Sequence, residues 1–117
     1  MLANLYLVVD SIKYKLRFFF DCGSGICVWA ENEIAQKKYG YPVANDMLPI
    51  SKALANELDS LVIEYDDSID WEYPPNPSPW TEEQIIDFSN RVNVAYIELC
   101  KELGPNYEVK KEFDDCI

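Results

Sequence analysis

From Ile12 to Phe18 the chain alternates apolar and basic side chains, Ile12-Lys13-Tyr14-Lys15-Leu16-Arg17-Phe18. A strand sends successive side chains to opposite faces, so this segment predicts a strand with one face in a core and one in water. Phe19 and Phe20 continue the run. Cys22-Gly23-Ser24-Gly25 then reads as a turn, because glycine takes positive φ without steric cost, and Ile26 to Ala30 reads as the returning paired strand. The apolar run Leu5 to Val9 predicts an earlier strand, so the N-terminal segment has the pattern of an antiparallel meander.

Beyond Ala30 the apolar period lengthens to that of a helix. Glu31 or Asn32 opens a short helix that stops at Gly40, with Pro42 beyond it. Ser51 is an N-cap for a helix carrying Leu54, Leu58, Leu61, Val62 and Tyr65 on one side. Thr81-Glu82-Glu83-Gln84 has the capping-box form, with two carboxylates at the positive end of the helix dipole. Ile85, Phe88, Val92, Ala95, Tyr96, Leu99 and Leu103 form the apolar stripe of that helix, and Gly104-Pro105 ends it. Tyr107, Val109 and Lys111 suggest a closing strand. The expected fold is α+β: a small single domain over residues 1–117, with an antiparallel sheet (N-terminal meander plus C-terminal strand) covered by about three helices.

With 117 residues, 49% of them hydrophobic, the chain can build one real core and is no disordered acidic tail. It contains no histidine, which excludes Ser-His-Asp and Cys-His machinery, His metal ligands and imidazole proton transfer. The N-terminus lacks a basic leader, and its apolar run ends at Asp10, too short for a signal peptide or for the roughly 20 apolar residues of a membrane span. A cytoplasmic location is therefore expected, with Cys22, Cys27, Cys100 and Cys116 as reduced thiols. Their spacing is not that of a zinc site, and neither metal nor cofactor is expected.

Charge is distributed unevenly. Residues 1–50 are balanced, whereas residues 51–117 hold the whole formal charge of −11. Between positions 53 and 90 there are ten carboxylates (Glu57, Asp59, Glu64, Asp66, Asp67, Asp70, Glu72, Glu82, Glu83, Asp87) and no Lys or Arg. Such a chain repels phosphate backbones and anionic lipid, so neither direct nucleic-acid binding nor membrane association is expected. Acidic runs often serve only as a solvated coat. What argues further here is the segment between two predicted helices, from Tyr65-Asp66-Asp67-Ser68-Ile69-Asp70-Trp71-Glu72-Tyr73 through Pro74-Pro75-Asn76-Pro77-Ser78-Pro79-Trp80. Four prolines stiffen it, and carboxylates beside large aromatics suit a protein-binding surface. Asp66, Asp67, Asp70, Trp71, Glu72 and Tyr73, with Glu82 and Glu83, are the candidate binding residues. The structural alternative has Trp71 and Trp80 folding back onto the core. Asp66, Asp67, Asp70 and Glu72 match no calcium motif, two acids chosen from many make a weak glycosidase signal, and Gly23-Ser24-Gly25 is too short for a phosphate loop. No catalytic residue is nominated.

Taken in order, Phe20-Asp21-Cys22-Gly23-Ser24-Gly25-Ile26-Cys27-Val28-Trp29, Tyr39-Gly40-Tyr41-Pro42, Leu48-Pro49-Ile50-Ser51, the Tyr65–Trp80 segment and Glu102-Leu103-Gly104-Pro105 resemble bacterial polymorphic-toxin immunity proteins. The likeness is in particular to those of contact-dependent growth inhibition, and it runs from about Leu16 to Tyr107. The resemblance implies a cytosolic, non-catalytic inhibitor that binds a cognate toxin C-terminal domain. It implies further that the toxin is a basic nuclease, with a ribonuclease of the pancreatic type as the first expectation. It transfers no binding site, so the acidic-aromatic assignment rests on charge and loop composition alone. The alternative is an acidic adaptor or regulatory module for another basic protein. An enzyme working with carboxylates alone is a third possibility for which no activated pair can be named.

Overall fold

The computed structural model describes residues 12–112. Strands β1 (Tyr14–Phe18) and β2 (Val28–Ala30) form the middle of a four-stranded sheet of order β3-β2-β1-β4, where β3 is Pro42–Val43 and β4 is Tyr107–Lys111. The alternation in β1 acts as its period suggests. Tyr14, Leu16 and Phe18 are buried, Lys15 is exposed and Arg17 is half-exposed. β1 and β2 pair antiparallel, with Leu16 opposite Ala30 and Phe18 opposite Val28, and β2 pairs antiparallel with β3. The expected strand at Leu5 to Val9 lies outside the described residues.

The closing strand forms where Tyr107, Val109 and Lys111 suggest, but it runs parallel to β1, with Leu16 opposite Val109, so the sheet is mixed. The reason lies in where the chain re-enters the sheet. The Asn106 carbonyl accepts hydrogen bonds from the N–H groups of Lys13 and Tyr14, at 2.8 and 3.0 Å, so β4 starts beside the start of β1. Antiparallel pairing would require it to begin at the other end.

The three helices open at their expected caps. α1 (Glu33–Tyr39) starts at Asn32, whose side chain accepts from the Ala35 N–H, and ends at Gly40 with φ 80°. α2 (Lys52–Asp66) starts at Ser51, whose side chain accepts from the Leu54 N–H. α3 (Glu82–Leu103) starts at Thr81 with both hydrogen bonds of the capping box, and it stops at Gly104 with φ 81°. Each such cap stabilises its helix by about 1 kcal/mol.

α2 and α3 run antiparallel. The Glu102 carboxylate, at the end of α3, accepts from the Ser51 N–H (2.6 Å) and hydroxyl (3.1 Å) at the start of α2, where a negative charge also favours the helix dipole. Leu54, Leu58, Leu61 and Val62 of α2 and Phe88, Val92, Ala95, Leu99 and Leu103 of α3 form one core with Leu16, Phe18, Val28 and Val109 of the sheet. Burial of each large side chain contributes roughly 1.5–3 kcal/mol. The Tyr96 hydroxyl donates to the Val109 carbonyl at 2.8 Å and ties α3 to β4. Cys27 lies deep in this core, and burial pushes its thiol up to about 12, so it is an inert apolar group. Among the described residues no helix is long and apolar enough to cross a membrane.

Candidate functional site

The acidic stretch of residues 53–90 folds into α2, the first turns of α3 and the long connection between them. The connection is built from successive turns. Ser68 is buried, and its hydroxyl donates to the Tyr65 carbonyl at 2.6 Å, which satisfies the open end of α2. The Asp70 carboxylate then accepts from the N–H groups of Glu72 (3.1 Å) and Tyr73 (3.3 Å) and from the Asn76 amide (3.0 Å). This is an Asx turn, in which a short acidic side chain replaces a backbone acceptor. The Asn76 amide and the two backbone N–H groups hold the Asp70 carboxyl below its ordinary value. Further along, the Ser78 hydroxyl accepts from the Trp80 N–H at 3.2 Å.

The two tryptophans divide between the two readings. Trp80 folds back onto the core, its ring 5.0 Å from that of Phe88. Trp71 remains 56% exposed, and Tyr73 beside it 59%. Trp71 is nonetheless fixed, because its indole N–H donates to the Asp66 carbonyl at 2.8 Å. The Asp66 carboxylate accepts from the Gly23 N–H at 3.0 Å, which joins the end of α2 to the turn between β1 and β2. Gly23 has φ 80°, a backbone conformation that glycine takes without strain, and it lies against the Trp71 ring.

The predicted residues therefore fall into two groups. Asp66 and Asp70 brace the loop. Asp67, Glu72, Glu82 and Glu83 are exposed, with Trp71 and Tyr73 as exposed aromatics between them. Asp67 also lines a cleft of about 230 Å³ with Glu64, Trp80, Gln84, Asp87 and Phe88, where the end of α2 meets the start of α3. Asp87 is a member of this surface that the sequence reading left out. Its place four residues after Glu83, on the same side of a helix, was the available signal.

Among the described residues, one cation pairs with the carboxylates of this end. Arg91 of α3 reaches across to α2 and forms salt bridges of 2.8 Å to both Glu57 and Glu64. Those two carboxylates raise its already high pKa. Asp59 is engaged differently, accepting from the buried Asn45 amide at 2.8 Å. Asp67, Glu72, Glu82, Glu83 and Asp87 have no Lys or Arg within salt-bridge distance among the described residues. No three His, Cys, Asp or Glu side chains among those residues stand where they could hold a metal ion. The arrangement presents carboxylates without a basic partner among the described residues, beside the Trp71 ring held by its indole N–H and the exposed Tyr73 ring.

A protein-family model described as Serratia CdiI immunity protein-like matches residues 14–111. Comparison with curated proteins returns no match.

Proposed function

The chain belongs to the Serratia CdiI immunity protein-like family, and from that premise we propose that it neutralises a basic toxin nuclease by covering its cationic surface with the α2–α3 end. Membership makes it an immunity protein of contact-dependent growth inhibition, a class that implies a non-catalytic inhibitor and a cognate toxin. The nuclease and the binding surface are the finer reading. A nuclease concentrates Lys and Arg where it holds the phosphate backbone, and an inhibitor that meets this surface with carboxylates competes for the same charge. A ribonuclease is the first candidate, met in the cytosol before it reaches RNA.

The observation that carries the reading is the unequal pairing of charge. Arg91 pairs with both Glu57 and Glu64, while Asp67, Glu72, Glu82, Glu83 and Asp87 are left with no basic partner among the described residues. Within one chain, unpaired like charges repel and lower stability, and a cationic partner reverses the sign of that effect. Trp71 and Tyr73 add exposed aromatic area beside them, of the kind that dominates binding energy. Asp66 and Asp70 serve by fixing the loop that presents these rings.

The test is a quadruple variant, Asp67→Asn, Glu72→Gln, Glu82→Gln and Glu83→Gln, which leaves the bracing carboxylates in place. Its association rate with the cognate toxin domain falls, and the dependence of that rate on salt flattens, while the fold persists. An unchanged rate and an unchanged salt slope would reject the surface.

A further inference from the structure

The outward side of α3 carries a second apolar line that the core does not use. Ile86, Val94 and Ile97 are 56%, 62% and 62% exposed. At about 100° of rotation per residue they share an arc of about 80° with Asn90, on the side of the helix away from the buried Phe88, Val92, Ala95 and Leu99. Exposed apolar residues scattered singly need no explanation, but three in one arc over about 16 Å of helix form a band. Val94 is also one wall of a groove of about 340 Å³ between α2 and α3, with Leu54 and Ala95 inside it and Glu57, Arg91 and Glu98 around them. Asn90 lines both this groove and a depression formed by Glu83, Ile86 and Asp87 over the first turns of the helix. The apolar groove is thus continuous with the acidic surface.

We propose that this band and groove receive an apolar side chain that projects from the basic face of the toxin domain, and that they form the desolvated centre of a contact whose acidic rim begins at Glu83 and Asp87. This rests on the reading of a basic toxin partner and adds the surface that retains it. The surrounding charge selects the occupant. Arg91 is already paired with Glu57 and Glu64, and Glu98 with Lys101 at 4.0 Å, so the free acidic border of the band, at Glu83 and Asp87, favours an apolar residue set beside Lys and Arg. A second copy of this chain is a poor occupant, since each copy carries −11 and would bring like charges together around the apolar centre. Apolar centre and charged rim also divide the kinetics, because rim charges act mainly on association and buried anchors on dissociation.

The experiment replaces Ile86, Val94 and Ile97 together by Gln, a residue at least as favourable as Ile or Val in a helix. Binding to the cognate toxin domain is followed by surface kinetics, with thermal unfolding and sedimentation measured in parallel. The dissociation rate of the triple variant rises about 30-fold, its association rate stays within about twofold, and its Tm does not fall. The single variant Val94→Thr gives the same sign at about fivefold and keeps the test valid should the triple variant lose its helical signal. Dissociation of both variants at the wild-type rate would overturn the inference, as would a wild-type dimer that the substitutions convert to monomer. The outcomes separate this inference from the function on which it rests. A wild-type protein that forms no complex removes the proposed function and the inference with it, whereas a wild-type complex whose variants dissociate normally removes the inference alone.

Discussion

The outer face of the sheet and the α2–α3 end use similar residues in opposite ways. On the sheet, Arg17 makes a two-pronged contact with Glu112, to which Lys110 also turns, and Lys15 lies opposite Glu108. Trp29 is stacked on Phe19, with Tyr41 at its other side, and it is only 7% exposed. Charges and aromatics there find their partners within the chain. At the α2–α3 end, five carboxylates are without a basic partner among the described residues, and Trp71 and Tyr73 keep more than half their surface in water. Composition alone does not separate a structural surface from a binding one. The difference lies in whether the partner of each group belongs to the same molecule.

The contrast can be broken most strongly at Trp29. Trp29→Ala removes a ring stacked 4.8 Å from Phe19 and an indole N–H that donates to the Phe19 carbonyl, and should cost about 3 kcal/mol in urea unfolding, whereas Trp71→Ala should cost well under 1. Equal losses at the two positions would erase the distinction. Next in size is the quadruple charge removal at Asp67, Glu72, Glu82 and Glu83, which should lower the association rate about tenfold at low salt while stability holds or rises. Arg91→Gln gives a smaller effect. Its two salt bridges are more than a third exposed, so their loss costs about 1 kcal/mol after solvent screening, and toxin association should not slow. The smallest effect is a pH response at Asp70. Its folded pKa lies below the unfolded value, so its stabilisation is present above the ordinary carboxylate range and is lost as pH falls through the depressed value. The amide resonances of Glu72 and Tyr73 should titrate at that lower pH by NMR. Titration at the ordinary Asp value would mean the turn is not held.

The helices, their starts and the stops at Gly40 and Gly104 were legible in the sequence, because caps and apolar spacing are local properties. Asn32, Ser51, Thr81, Gly40 and Gly104 act at their own positions. The direction of β4 was not legible, since it depends on Asn106 meeting Lys13 and Tyr14 across the whole chain. The fates of Trp71 and Trp80 differ by the path of the loop, which no residue spacing encodes. The role of Asp66 was hidden for the same reason, as its partner Gly23 is 43 positions away. Arg91 stands one residue beyond the uninterrupted acidic run, and only the fold shows it bridging Glu57 and Glu64. Ile86, Val94 and Ile97 were visible as the apolar residues left over when the core stripe of α3 is drawn, and their common arc follows from the helical period.

The central claim is that the unpaired carboxylates exist for a cationic partner, and the salt dependence of toxin association measures this most directly. The account predicts a steep fall in the association rate as ionic strength rises, and a markedly shallower one after Asp67, Glu72, Glu82 and Glu83 are neutralised. The same slope in both proteins, with complex formation intact, would contradict it.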